Sequence, residues 1–208
     1  MLALYLMEQQ GHEVTCLVNI VPRDKHSWVF HTPNLHLMPL MAESLGKDLV
    51  QVEGGDDEEE DLRSLSSALG NLDVDGVVTG ALASDYQWDR INRVCDELGL
   101  RTFSPLWRKD PNILMDELVD SGIRAAIVAV MADGLGPEWL GRVLDDHAFI
   151  DLRPLVGKHG INIAGEGGEY ETLTLDSPIH SKALVLDSWD TDVQRDSAHL
   201  TVTSAHLL

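Results

Sequence analysis

Hydrophobic positions along the chain alternate between two rhythms, short unbroken apolar runs and longer stretches with helical spacing. Leu2, Leu4, Leu6 and Met7 ahead of Gln9 and Gln10 predict a helix from Met1 to Gln10, with Gly11 as the residue that ends it. "EVTCLVNI" (Glu13 to Ile20) is almost continuously apolar, the pattern of a strand buried on both faces. "NLHLMPLMAESLG" reads as a helix with Pro39 near its start, and "KDLVQV" as a short strand. "GGDDEEEDLRSLSSALG" opens a helix with its acids at the positive end of the dipole, an arrangement favourable without any ligand. "VDGVVTGA" is the next buried strand. "SDYQWDRINRVCDELG" is an amphipathic helix with Ile91, Val94, Cys95 and Leu98 on one face and Gly99 past its end. "LRTFSPLW" adds a short strand with a proline exit. Strand and helix in turn predict an α/β fold, a parallel sheet with helices on both faces.

From Asp110 the rhythm loosens. "DELVDSG", a strand "IRAAIVAVM", a glycine-rich turn and helices near Gly141 to Gly157 come first. A strand after "GEGGEYE" and two alternating tails, "SKALVLDSWD" and "AHLTVTSAHLL", follow. A boundary near Trp107 to Pro111 divides the chain into residues 1–107 and a smaller α+β domain, 108–208.

The stretch "GINIAGEGGEYETLTLDSP" carries the strongest chemical signal. Counting by twos puts Glu169, Glu171, Leu173 and Leu175 on one side of an extended segment and Tyr170, Thr172, Thr174 and Asp176 on the other. If the leucines face a core, the carboxylates sit where that core opens, and they need donors, cations or water there. The glycines let the backbone turn sharply and approach a ligand. A strand end that merely reaches solvent reads the same way.

Composition narrows the class. The 208 residues are 44% hydrophobic, with no apolar run approaching membrane-span length, so a soluble globular protein is expected. "MLALYLMEQQGHE" lacks the basic start of a signal peptide. Cys16 and Cys95 lie in apolar segments and read as core thiols in a reducing cytoplasm. The formal net charge of −20 argues against a nonspecific grip on nucleic acid or anionic membrane. It is built from 22 Asp and 13 Glu against 10 Arg and 5 Lys, the balance expected of a protein from a salt-loving archaeon. An ordinary acidic protein with an acidic loop is the plainer alternative.

"TGALASDYQ" begins at the carboxyl end of a buried strand and opens a helix, the place where open α/β sheets bind ligands. Ser84 with Gln87 three residues on also satisfies a capping box that needs no ligand. No GxxxxGK[ST], CxxC, HExxH or GxSxG sequence occurs. The nine histidines show no tight ligand spacing. His31 in "SWVFHTPN" sits on a loop after a strand, either in reach of a substrate or simply packed among loop aromatics.

Together "SWVFHTPNLHL", "VDGVVTGALASDYQWDRINRVCDELGLRTFSPLW" and "GINIAGEGGEYETLTLDSPI" resemble the diphthine–ammonia ligase family of ATP pyrophosphatases, in order and over essentially the whole chain. The resemblance implies a HUP-type, Rossmann-like ATP domain over residues 1–107 and a substrate domain over 108–208, with the active cleft between them. It implies amidation of diphthine on translation elongation factor 2 to diphthamide, with ATP and ammonium giving AMP and pyrophosphate, and Mg2+ at the phosphates. Carried across by position, Gly80, Ser84, Asp85, Tyr86 and Gln87 fall in the family's second motif. Gly165, Glu166, Gly167, Gly168, Glu169, Tyr170, Glu171 and Thr172 fall in its third. On that basis Glu166, Glu169 and Glu171 are the catalytic candidates, with Glu169 as a magnesium ligand. Gly80, Ser84, Asp85 and Gln87 are candidates for ATP. Tyr86, Gly165, Gly167, Gly168, Tyr170, Thr172 and His31 are candidates for the acceptor, the tyrosine rings suiting its trimethylammonium group.

The family opens with a strand and an SGGKDS loop, whereas "MLALYLMEQQGHEV" resembles the helix after that loop. The expectation is a chain lacking that strand and loop, impaired in ATP handling and able to pair with another copy of itself. An ATP pyrophosphatase with a different acceptor, and a non-catalytic protein-binding remnant, are the competing readings.

Overall fold

The computed structural model describes residues 1–23 and 33–208, which divide into two compact units, Met1–Arg108 and Lys109–Leu208. In the first unit, helix α1 (Leu2–Gln9) ends at Gly11, whose φ of +86° is readily adopted only without a side chain. Strand β1 (Cys16–Val21) pairs in parallel with β2 (Asp48–Glu53), joined through a 3-10 turn and helix α2 (Met38–Leu45), which packs on β2. Helix α3 (Glu58–Gly70) follows, then β3 (Gly76–Val78), α4 (Asp85–Glu97) and β4 (Arg101–Phe103), with β3 and β4 again parallel. The acids opening α3 behave as their position suggests: Asp57 caps the helix by accepting the Glu60 N–H at 2.9 Å. Glu58 and Glu59 pair with Arg90 and Arg93 of α4.

Among the described residues the unit holds two separate parallel ribbons, β1–β2 and β3–β4, rather than one hydrogen-bonded sheet. A shared core joins them, made of Ile20, Leu62, Leu65, Leu69 and Val94 with Val18, Val77 and Leu100 against it. Apart from buried Ile20, the apolar runs of β1 and β3 therefore lie half-buried instead of fully enclosed, because a two-stranded ribbon leaves an unpaired edge on either side. Cys16, expected in the core, is only partly buried for the same reason, whereas Cys95 of α4 is fully buried.

The second unit begins with helix α5 (Pro111–Asp120), capped by Asp110, and strand β5 (Arg124–Val130), which is buried from Ala125 onward. Helix α6 (Asp146–His159), β6 (Tyr170–Asp176), β7 (Leu184–Val193) and β8 (Ala198–Leu207) complete it. The four strands form an antiparallel sheet in the order β6-β5-β8-β7. Ala148, Phe149 and Leu152 of α6 and Leu114 and Met115 of α5 are among its buried residues. The coarse expectation of a mixed α/β protein holds; among the described residues the parallel strands pair as two ribbons, and the finer HUP-type sheet stays an expectation.

Candidate functional site

In the second unit the chain leaves α6 through Gly160, in the left-handed region at φ +72°, and enters the glycine-rich loop. Ile161 and Ile163 are buried and fix the loop from below, while Asn162 turns it by accepting the Ala164 N–H on Oδ1 at 2.9 Å. Glu169 then reaches back. Its Oε1 accepts the Asn162 N–H and its Oε2 the Gly167 N–H, both at 2.7 Å. Tyr170, buried at the start of β6, donates its hydroxyl to the Ile163 carbonyl at 2.5 Å.

Gly165 is doubly constrained: its φ is +72°, and a Cβ would stand 3.0 Å from the Tyr170 carbonyl oxygen and 3.1 Å from its ring. The Tyr170 backbone carbonyl and ring thus occupy the space that any side chain at Gly165 would need. Gly168, at φ +79°, faces open space, so there the backbone conformation alone favours glycine.

These contacts sort the third-motif candidates. Each oxygen of Glu169 accepts one backbone N–H, a turn-fixing arrangement that also leaves a lone pair on each oxygen. Among the described residues no group of three or more His, Cys, Asp or Glu is placed to hold a metal ion. Tyr170 is sealed inside the loop, with 5% of its surface exposed, so its ring is not an open face for a quaternary ammonium. The clean alternation of buried and exposed residues expected here is not what β6 shows. Tyr170 is buried while Glu171, Thr172, Leu173 and Leu175 are all half-buried. Glu166 and Glu171 stay within this short segment, each half-buried and each with interactions of its own.

In the first unit the second-motif residues gather at the carboxyl ends of β3 and β4. Thr79 extends the pairing by donating its N–H to the Phe103 carbonyl at 2.9 Å, and its Oγ1 accepts the Ala81 N–H at 3.1 Å. Among the described residues no atom beyond its chain neighbours lies within 4 Å of where a Cβ on Gly80 would stand, so their packing does not require glycine there. Ser84 caps α4 by accepting the Gln87 N–H at 3.3 Å, the serine half of the capping box expected for this pair. Asp85 pairs with Arg108 at 2.9 Å. Tyr86 is 40% exposed, but the Arg90 guanidinium lies 3.2 Å from its ring centroid and already supplies a cation on one face.

Sequence reasoning missed four residues here, Trp88, Trp107, Arg108 and Ser104. Trp88 and Trp107 stack at 5.3 Å and 22°, and Arg108 stands 5.5 Å from the Trp107 ring centre. Arg108 also adopts a left-handed backbone at φ +55°, fixed by its N–H on the Leu82 carbonyl at 2.6 Å. Two tryptophans nineteen places apart give no periodic signal, and only the pairing of β3 with β4 brings them together. Just past β4, the buried Ser104 Oγ has no hydrogen-bond partner among the described residues, an orphan hydroxyl that a polar ligand would satisfy. His31 lies outside the described residues.

Comparison with known proteins agrees with these two halves. Residues 1–102 match the model of the diphthamide synthase N-terminal domain, and residues 110–208 match that of the diphthamide synthase C-terminal domain. A diphthine–ammonia ligase of Danio rerio is 35% identical over 92% of this chain and 84% of its own length. That of Homo sapiens is 33% identical over 95% of the chain and 82% of its length. That of Schizosaccharomyces pombe reaches 37% identity over 85% of the chain but only 32% of its own, longer sequence. The chain belongs to the diphthamide synthase family, the family of the diphthine–ammonia ligases.

Proposed function

We propose that the chain is itself a diphthine–ammonia ligase, converting the diphthine carboxylate of elongation factor 2 to the amide. ATP would transfer AMP to the carboxylate and release pyrophosphate; ammonia would then displace AMP. Adenylation replaces a poor leaving oxygen with a good one, and the protein's task is chiefly positioning and balancing charge around the reacting phosphate. The observation that carries this reading is the family match over both units, together with a GEGGEYET loop held by Glu169 and Tyr170.

Within that reading the first unit takes the nucleotide. Gly80 offers open backbone, Ser104 an unused hydroxyl, and Ser84, Asp85 and Gln87 shape the loop leading into α4. In the second unit, Glu169 and Tyr170 hold the loop while Glu166 and Glu171 supply its carboxylate chemistry toward ammonium and the acceptor. Gly165, Gly167, Gly168 and Thr172 shape the acceptor side, and Tyr86 and His31 are assigned to the acceptor as well. Magnesium, where it accompanies ATP, would be held by phosphate oxygens and at most one carboxylate of this loop, with Glu169 the candidate. No described helix is long and apolar enough to cross a membrane. A cytoplasmic setting suits a protein acting on a translation factor, and the acidic surface suits concentrated salt.

The test is AMP release and a mass change of about one unit on diphthine-bearing elongation factor, given ATP and ammonium. It is run on these 208 residues. Amidation sustains the reading, and its absence defeats it.

A further inference from the structure

Strand β7 is the outer strand of the second unit's sheet, and among the described residues it pairs only with β8. Its register sets Trp189 opposite Val202, Thr191 opposite Leu200 and Val193 opposite Ala198. Residues directly opposite in an antiparallel ladder share a face. Val202, Leu200 and Ala198 are buried, so that face is the core face. Yet Trp189 is 47% exposed and Val193 57% exposed on the same side. The apolar face of the sheet therefore runs past the covered core and ends uncovered on the edge strand. The opposite face of β7 carries Asp190 and Asp192, both exposed. Along Asp187 to Asp196, four aspartates stand against the single cation of Arg195.

We propose that the outer edge of β7 is a docking strand for an extended, basic segment of the protein substrate, one that alternates apolar residues with lysine or arginine. The proposal rests on the reading that the acceptor is a protein. An added strand would satisfy the free N–H and C=O groups of the edge. Its apolar residues would cover Trp189 and Val193, and its cations would lie beside Asp190 and Asp192. Alternation with period two is what allows one strand to meet both faces. A second copy of this chain is a poorer occupant. Two β7 edges would bring aspartate rows together, and like charges set opposite one another destabilise a sheet. The same carboxylates thus repel copies of an acidic chain and accept a cationic strand.

The experiment uses the full chain and two end-blocked synthetic peptides, one alternating valine with lysine and its twin alternating valine with glutamate. The lysine peptide is expected to slow hydrogen exchange of the amides from Ser188 to Val193, and the glutamate peptide to leave them unchanged. Asp190→Lys together with Asp192→Lys should weaken lysine-peptide binding about tenfold without lowering the melting temperature. Equal protection by both peptides, or none by either, overturns the proposal. With the intact elongation factor, the double variant should raise KM while kcat holds, and a fall in kcat at constant KM overturns it as well. Should no AMP form with the factor at all, the proposed reaction fails while the peptide measurements still decide the edge.

Discussion

The carboxylate of Glu169 accepts the backbone N–H of Gly167 at 2.7 Å while its second oxygen holds the Asn162 N–H at the same distance. One side chain thereby closes the glycine-rich loop from both ends. Hydrogen bonds to an ionised group contribute more than neutral ones, about 1.5–3 kcal/mol each where burial is substantial. Glu169 is half-exposed, so Glu169→Ala is expected to cost about 2 kcal/mol in total, read as a lower denaturant midpoint. Amide exchange at Asn162 and Gly167 should accelerate in the same variant. Unchanged exchange there would show that the loop holds its shape by other means.

Tyr170 adds a second clamp with a pH signature. Burial pushes its phenol well above the ordinary value of 10.0, and the neighbouring Glu169 carboxylate adds to the shift. An unfolded chain releases this proton near pH 10, while the folded chain keeps it. The folded state therefore binds more protons over that window, and stability must fall as pH rises through it. Tyr170→Phe should remove this part of the alkaline loss. It should also cost about 1–3 kcal/mol at neutral pH, because the Ile163 carbonyl loses its donor. Denaturant titrations at pH 8 and pH 11 compare both effects, and an identical alkaline slope in the two proteins would refute the linkage.

Much of this fold was legible because its signals are local. Gly11, Gly46 and Gly99 end or follow helices at positive φ, and Asp57, Ser84, Asp110 and Asp145 cap them with their own side chains. What the pattern could not convey is pairing. An apolar run such as "EVTCLVNI" does not reveal whether it has one neighbouring strand or two, so the half-burial of β1 appears only in three dimensions. The candidate loop was similarly half-legible. Its glycines and glutamates mark a site, yet period two does not convey that Tyr170 is enclosed while both faces of the strand after it are half-buried.

Ser84 separates capping from catalysis. As an N-cap it should contribute about 1 kcal/mol, so Ser84→Ala should lower stability by that amount and Ser84→Asp should restore it. ATP affinity measured by calorimetry provides the other readout. If Ser84 only caps, nucleotide binding by the Asp variant matches the parent. If its hydroxyl meets phosphate, the added carboxylate weakens binding although the fold is fully restored.

Salt should stabilise the protein. With 35 acids against 15 bases, repulsion among exposed carboxylates outweighs the attraction of the few surface pairs, each of which contributes about 0–1 kcal/mol. Potassium chloride screens both, but the repulsive sum is larger, and at 0.15 M the Debye length is already only about 8 Å. The melting temperature is expected to rise between 0.05 and 2 M salt. A flat or falling curve would leave the family assignment intact and remove the argument for a saline habitat.

The three glutamates of the loop should divide by role once charge is removed without changing volume. Glu169→Gln keeps one acceptor but points an amide donor at a backbone N–H, so it should lower both the melting temperature and the rate of amidation. Glu166 and Glu171 each make interactions of their own, so loss of rate is read against loss of stability in both. If one of them orients ammonium or balances charge in the transition state, its Gln variant should keep the parent melting temperature and lose about 100-fold in kcat, the scale seen when one preorganised electrostatic contact is deleted. The sorting variable is therefore the ratio of rate lost to stability lost: small for Glu169, large for a glutamate that meets the reacting groups. KM for ATP supplies the cross-check. A rise in KM at constant kcat would move that glutamate to substrate binding. Parent-like rates from both Glu166→Gln and Glu171→Gln would take the chemistry away from this loop and leave it as a scaffold.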